Sequence, residues 1–224
     1  MLVYQLKVLS DGTLDKYKCR AVFKGFTQIF GRDFWEVFAP VGQVTSQKLF
    51  YFCVLYYCLI DFNVDVKSAY LQAEIDTELW VKLPPGLETN DFKYAKLNKA
   101  IPGVRQGANL WWVKFTKIIK DHGFTQNRVE PCFFYYFKNG VAGVICIMLI
   151  HTDNVSVGTN NKPWFEKLAY GTWSEFFTCE EAARASSLGI SVVRKNENTF
   201  EFDQTAYIDK LVMKYELEES NPKP

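Results

Sequence analysis

Apolar and polar side chains alternate over residues 4–8 and again over 16–24, the two-residue period of a half-buried strand. Asp11-Gly12 between them is a turn sequence, so the chain is predicted to open on a hairpin. Side chains of a strand point to alternate faces, which places Lys18, Arg20 and Lys24 on one side with Val22 between them. A loop containing Gly, Asp and Pro runs to Pro40. Residues 45–60 then read as a mostly buried helix, with Leu49, Phe52, Cys53 and Tyr56 as its stripe and Thr45 or Ser46 as its cap. Short strands are predicted over 63–66 and 79–83, the second stopped by Pro84-Pro85-Gly86. Residues 110–122 form an amphipathic helical pattern that ends at Gly123.

The clearest local pattern follows. Residues 133–137 and 141–150 are apolar runs with strand chemistry, joined by Lys138-Asn139-Gly140. A second turn, His151-Thr152-Asp153-Asn154, leads into Val155-Ser156-Val157, which makes a three-stranded meander with an aspartate at a hairpin tip. Residues 164–177 read as a helix weakened by Gly171. Residues 188–194 and 199–202 read as a hairpin across Asn196-Glu197-Asn198. Tyr207, Ile208, Leu211, Val212 and Tyr215 form a helical stripe. No repeat, linker or low-complexity tract interrupts the pattern, so residues 1–224 are read as one continuous α+β domain.

Composition narrows the class. The chain has 224 residues, 48% of them hydrophobic, enough for a substantial core. The longest apolar run, 49–60, falls short of the roughly 20 residues a membrane span needs. The first residues lack the basic start and apolar stretch of a secretory signal. Six cysteines show no Cys-x-x-Cys pair and no disulfide-like spacing, so buried free thiols are expected. These features predict an intracellular protein, cytoplasmic or nuclear, with no membrane partner. Net charge is only +1, yet residues 1–60, 61–90, 91–140 and 141–224 carry +3, −4, +6 and −4 in turn. Such alternation fits a basic groove beside an acidic metal site, and it fits a solvated surface equally well.

Familiar chemistry is missing: no Gly-rich nucleotide fingerprint, no Walker loop and no Gly-x-Ser-x-Gly elbow. His122 and His151 are the only histidines, which leaves few candidates for a zinc site or a nucleophile triad. What remains is a pair of acids, Asp65 in the short strand over 63–66 and Asp153 on the hairpin turn. Two carboxylates on adjacent strand ends can hold Mg²⁺ for phosphoryl chemistry. Aspartate is also an ordinary turn residue, and spacing alone leaves both readings open.

A series of motifs adds to this. The segment Lys16-Tyr17-Lys18-Cys19-Arg20-Ala21-Val22-Phe23-Lys24-Gly25-Phe26-Thr27-Gln28 resembles the "YKARLVAKGFTQ" segment of copia-type retrotransposon reverse transcriptases. Gly31-Arg32-Asp33-Phe34, Phe38-Ala39-Pro40-Val41 and Thr45-Ser46 are similar to that family's next motifs, in order. Val64-Asp65-Val66-Lys67-Ser68-Ala69-Tyr70-Leu71 resembles "LDVKTAFL", and Leu97-Asn98-Lys99-Ala100 with Gly103-Val104-Arg105-Gln106 resembles "LKKALYGLKQ". Leu188-Gly189-Ile190 is similar to "FLGI", and the resemblance runs to Pro222.

The resemblance implies a right-hand polymerase, with fingers from about 1–48 and 77–103 and a palm from about 49–76 and 104–224. It implies an RNA-directed DNA polymerase, a nucleotidyltransferase that extends a primer on an RNA or DNA template with dNTPs. Asp65 and Asp153 would be its metal-binding acids, for Mg²⁺ or, as a substitute, Mn²⁺. Lys18 and Arg20 would hold the triphosphate, Tyr70 would exclude a ribose 2′-OH, and Gln106 would support the nucleotide. Lys24, Lys99 and Arg105 would contact the nucleic-acid backbone. RNase H and integrase segments are not expected within this chain.

The chain departs from the family at the turn, where Tyr-Val-Asp-Asp is replaced by His151-Thr152-Asp153-Asn154. Asn154 keeps the shape of the second catalytic aspartate and loses its charge. A unit charge at about 4 Å contributes roughly 4 kcal/mol at an effective dielectric near 20. Losing about 4 kcal/mol in the transition state slows chemistry on the order of a thousandfold. The "KQAPRAW" segment has become Arg105-Gln106-Gly107-Ala108-Asn109-Leu110-Trp111, and "LNG" has become Leu71-Gln72-Ala73. The expectation is therefore a polymerase domain by ancestry that is weak or inactive. A non-catalytic nucleic-acid-binding relic and a host-recruited interaction protein are the alternatives.

Overall fold

A computed structural model describes residues 1–8, 13–84, 86–88, 92–138, 143–182 and 189–217. In chain order the elements are β1 (Leu2–Val8), β2 (Leu14–Ala21), α1 (Val44–Tyr56), β3 (Ile60–Val66), α2 (Ala69–Gln72), β4 (Trp80–Lys82) and β5 (Tyr94–Lys96). They continue with α3 (Gly107–Asp121), β6 (Thr125–Gln126), β7 (Phe133–Lys138), β8 (Val144–His151), β9 (Asn154–Thr159) and α4 (Lys162–Glu166). The last four are β10 (Cys179–Ala182), β11 (Ser191–Asn196), β12 (Thr199–Asp203) and α5 (Thr205–Lys214). This is an α+β chain in two compact units: residues 1–40, 67–123 and 175–177, and residues 41–66, 124–174 and 178–217 of those described.

The second unit is organised by a six-stranded antiparallel sheet in the order β10-β3-β9-β8-β7-β6. The expected meander is its β7-β8-β9 portion. The run Cys146, Ile147, Met148, Leu149 and Ile150 is buried at every position, because β8 is covered on both faces. α1 packs on β8 and β9. Their contact is close at Gly158, where a Cβ would come within 2.8 Å of Val54 Cγ2 and 3.1 Å of Ile147 Cγ1. Beyond the sheet, β11 and β12 form the expected hairpin, and α5 carries the expected stripe as far as Val212, with Tyr215 at its C-cap. The Arg194 guanidinium ties this hairpin to β3 through an ion pair of 3.0 Å with the Asp61 carboxylate.

α1 corrects the sequence expectation on which face is buried. The helix buries Ser46, Gln47, Phe50, Tyr51 and Val54, whereas Phe52 and Tyr56 are 62% and 70% exposed. Apolar residues surround most of this helix, so its spacing offers two stripes, and the sheet takes the other one. Neither Thr45 nor Ser46 caps it. The cap residue is Gln43, and the Ser46 hydroxyl donates to the Glu130 carboxylate instead. The helix stops at Tyr56, short of residue 60. Cys58 turns left-handed (φ 52°), and Leu59 N–H reaches back to the Val54 carbonyl at 2.8 Å.

The first unit contains the β1–β2 and β4–β5 hairpins with α2 and α3. Lys24 lies beyond the end of β2, at the start of a 3₁₀ turn over Gly25–Thr27, and so does not share the strand face of Lys18 and Arg20. Phe23 N–H donates to the Pro102 carbonyl at 2.8 Å. That approach needs glycine twice: a Cβ on Gly25 would run into the Gly103 carbonyl, and Gly103 itself has φ +92°. On α3, Trp111 stacks on Phe115 with centroids 4.8 Å apart, and Phe177 meets both edge-on.

Residues 164–177 do not form a single helix. Asn161 caps α4 by accepting from Trp164 N–H at 3.0 Å, after which the chain widens into a π turn over Lys167–Gly171 and tightens to 3₁₀ over Thr172–Glu175. β5, β6 and β10 were not anticipated. The turn at Asp11-Gly12, residues 85, 139–140, 141–142 and 188, and Pro222 lie outside the described residues. No helix among the described residues is long and apolar enough to cross a membrane.

All six cysteines are free thiols. Burial, with Glu130 adding to it, pushes Cys132 up to about 12, and burial pushes Cys179 up to about 11. The Cys146 thiol is raised by burial as well. Ellman's reagent at pH 8 should therefore label exposed Cys19 and Cys58 first, and Cys132, Cys146 and Cys179 only on unfolding. Gly158→Ala should destabilise the protein by about 1–3 kcal/mol in urea titration through overpacking against α1.

Candidate metal and nucleotide site

β3 carries Asp65 one residue from its end, and β9 begins at Asn154 directly after the turn. The turn holds just Thr152 and Asp153 between the paired residues His151 and Asn154. Thr152 takes φ 60°, a conformation that a β-branched residue adopts only at a cost. β3 and β9 pair so that Asp65 stands opposite Asn154. Directly opposed residues of an antiparallel pair share a face, so His151, Asn154 and Asp65 form a row across three strands. Val66 N–H donates to the Asp153 carbonyl at 2.7 Å, which extends the pairing by one bond and fixes the turn against the end of β3.

Asp65 is half-buried and Asp153 is exposed at the tip. Between them in sequence register lies Asn154, whose side-chain oxygen is buried and has no hydrogen-bond partner among the described residues. An orphaned acceptor of this kind costs about 1–3 kcal/mol relative to a satisfied one. It is an oxygen in want of a donor or a cation. Two carboxylates and an amide oxygen form a hard, all-oxygen donor set, which suits Mg²⁺ held by one or two carboxylates plus substrate phosphates. No group of three or more His, Cys, Asp or Glu side chains that could hold a metal occurs among the described residues. Asp65, Asp153 and Asn154 thus offer oxygen ligands of the kind such an ion takes.

The other sequence candidates lie in the first unit. Lys18 and Arg20 stand on one face of β2, opposite Gln5 and Val3. Tyr70 is a half-buried residue of α2, beside Gly107 at the start of α3. Lys99 is exposed and bridges to Glu74. Arg105 is exposed but partly engaged. Its Nε donates to the Gly25 carbonyl at 2.7 Å, and its guanidinium lies 5.3 Å from the Phe34 ring centroid.

Gln106 is fully buried, at 0% exposure. Its Oε1 accepts from Gln28 Nε2 at 2.9 Å, and its Nε2 donates to the Asp33 carbonyl at 2.9 Å and to Thr77 Oγ1 at 3.0 Å. Gln28 in turn accepts from Arg105 N–H at 2.8 Å. This amide knot ties the 25–33 loop, residue 77 and the start of α3 together, and it places Gln106 among protein partners. Gln28 is the member that sequence reasoning missed. A buried glutamine has no periodic signature, and only the tertiary pairing identifies it.

A family model described as reverse transcriptase (RNA-dependent DNA polymerase) matches residues 1–224. The chain is 30% identical over 224 residues to the retrovirus-related Pol polyprotein from transposon TNT 1-94 of Nicotiana tabacum, covering 98% of this chain and 17% of the relative. It is 30% identical over 163 residues to the Pol polyprotein from transposon RE1 of Arabidopsis thaliana, covering 72% of this chain and 11% of that relative. A Ty1 Gag-Pol polyprotein of Saccharomyces cerevisiae is 32% identical over 107 residues, 47% of this chain and 6% of the relative. The chain therefore spans under a fifth of the length of these relatives.

Gln106→Leu removes one partner from each of several buried polar groups. It should cost about 2–4 kcal/mol in urea unfolding, and a cost below 1 kcal/mol would show that the knot is dispensable.

Proposed function

The chain belongs to the reverse transcriptase family, among the copia-type retrotransposon Pol polyproteins, and on that premise we propose a Mg²⁺-dependent RNA-directed DNA polymerase domain whose altered turn leaves it weak or inactive. The observation that carries this reading is the register of Asp65 with Asn154 beside Asp153, with the Asn154 oxygen orphaned. Asp65 and Asp153 would hold the ion, and Mn²⁺ would serve in its place. Bound there, such an ion lowers the pKa of an attacking hydroxyl and neutralises phosphate charge.

The remaining roles fall to the chain's own side chains. Lys18 and Arg20, on one strand face, would pair with the triphosphate of an incoming dNTP as a cationic clamp. Tyr70 would exclude a ribose 2′-OH by contact. Lys24, Lys99 and Arg105 would neutralise phosphates of an RNA or DNA template with its primer, a salt-sensitive and sequence-tolerant interaction. Gln106 would act indirectly, by holding Asp33, Thr77 and Gln28 in place. In this reading residues 1–48 and 77–103 are fingers, and residues 49–76 and 104–224 are palm. RNase H and integrase form no part of the proposal.

Asn154 supports a second reading, a nucleic-acid binder that keeps the surface without the chemistry. A neutral amide presents its oxygen to a cation with no net charge, so an ion beside Asn154 would be held less firmly than beside an aspartate.

Primer extension on oligo(dT)/poly(rA), with Mg²⁺ and separately with Mn²⁺, decides between them. Asn154→Asp should raise incorporation on the order of a hundred- to a thousandfold, and Asp153→Ala should abolish it. The same Asn154→Asp variant should melt lower than the natural chain in EDTA, because a third carboxylate joins Asp65 and Asp153, and should recover on adding Mg²⁺. Natural protein that already extends primers at a rate the reversion does not raise would refute the idea of a disabled turn.

A further inference from the structure

α1 is apolar on nearly every side. Its 13 residues carry one charged side chain, Lys48, and a helix of that composition ordinarily has packed neighbours all round. The sheet covers one side, where Phe50 and Val54 are buried. The ring of Tyr51 is covered by β12, with Phe200 at 4.6 Å and Phe202 at 5.7 Å between centroids. The remaining side is open. Leu49, Phe52 and Tyr56 follow one another there at helical spacing, and all three are exposed.

The exposed rings are ordered by one another. Phe52 stacks on Tyr56 with centroids 6.0 Å apart and planes 21° apart. Tyr56 meets Tyr57 edge-on at 4.9 Å, and Tyr57 meets Phe137 of β7 edge-on at 6.1 Å. The four rings form a continuous ladder from the helix onto the strand, wholly within the second unit. Each contact restricts the rings it joins, so part of the ordering cost of binding is met beforehand. A contiguous apolar patch of this kind marks an interaction surface.

We propose that this ladder is a self-association surface, on which two copies of the chain pair α1 against α1, antiparallel, about a two-fold axis at Phe52. The patch complements itself. With the axis at Phe52 the two Phe52 rings meet, and residue 48 of one copy comes level with residue 56 of the other, since each is four positions from the axis. Lys48 then offers its ammonium to the ring of the partner's Tyr56, a pairing that the helix's one charge can make with its own stripe. A parallel pairing would bring two Lys48 side chains level, which like charges disfavour. A polyanion would find one lysine on this helix, whereas a second copy finds matching rings.

The area is sufficient for a weak dimer. Aromatic side chains present about 150–250 Å² each, so Leu49, Phe52, Tyr56, Tyr57 and Phe137 leave roughly 500 Å² open per copy at their exposures. A symmetric pair would bury about 1,000 Å², the lower bound for a specific interface. Exchange between monomer and dimer in the micromolar range is the expected behaviour at that size. The inference uses the second unit alone and does not depend on the polymerase reading.

Sedimentation velocity of the full chain from about 1 to about 100 µM tests this. The weight-average mass should rise with concentration from 25.9 kDa toward twice that value. Phe52→Asp sets a carboxylate against its own symmetry mate and should raise the dissociation constant at least about tenfold. Tyr56→Ser and Lys48→Glu should each weaken the dimer, and Lys48→Arg should keep it, because a guanidinium also sits over a ring. Where the chain is monomeric, none of these changes should move the urea midpoint, since the side chains then face water. A chain that stays monomeric throughout overturns the proposal, as does a dimer that survives Phe52→Asp. A dimer lost to Ile208→Glu instead would assign the contact to the exposed stripe of α5 and overturn it too. A fall in the urea midpoint with both Phe52→Asp and Tyr56→Ser would mean that the rings serve the fold, and would also refute it.

Discussion

The pairing of β3 with β9 is the constraint from which the candidate site follows. Antiparallel strands present alternate residues to opposite faces, so a slip of one residue would move Asp65 away from Asn154 and expose Val64 in its place. The register is held by what is buried. Phe62, Val64 and Val66 of β3, and Val155 and Val157 of β9, are all core residues. The bond from Val66 N–H to the Asp153 carbonyl then carries the pairing past the last strand residue and onto the turn. The polar site is positioned by an apolar lock. α1 adds to it through Gly158, where the absence of a side chain lets Val54 reach the sheet.

This division would let the turn carry an amide or a carboxylate at residue 154 while the fold stays in place. Asparagine and aspartate have nearly the same shape, and Asn154 keeps its place opposite Asp65 and His151. What changes is electrostatic. A carboxylate would draw a cation into the turn, whereas the amide leaves a buried oxygen without a hydrogen-bond partner among the described residues. The resulting cost, about 1–3 kcal/mol, is tolerable for a domain whose core is extensive. The same exchange is severe for chemistry that relies on negative charge to hold a metal ion.

Sequence pattern made much of this legible, for identifiable reasons. The β7-β8-β9 meander was readable because β8 is buried on both faces and therefore continuously apolar. α3 was readable because one face is buried and the other solvated. α1 was read with the wrong face inward, since Leu49, Phe52 and Tyr56 make as good a stripe as Phe50, Tyr51 and Val54. Only the sheet distinguishes them. The aspartates and the turn were visible through motif order, and the register that faces Asp65 with Asn154 is a tertiary fact. The Gln28–Gln106 knot was not legible, because a buried amide looks like any surface amide in sequence. Short pairings such as β5, β6 and β10 carry too few residues to show a period.

The two compact units also separate two kinds of dependence on the turn. The hairpin faces and the Gln106 knot are built wholly from residues of the first unit. None of the hydrogen bonds that shape them involves Asp65, Asp153 or Asn154. Replacing a carboxylate in the turn therefore leaves these surfaces unaltered at their source. On the proposed reading, whatever they contribute to binding a polyanion would come from cations and rings and would need no metal. On the proposed reading such a domain would lose its chemistry before its hold on nucleic acid, because the first would depend on one charge and the second would be spread over many side chains.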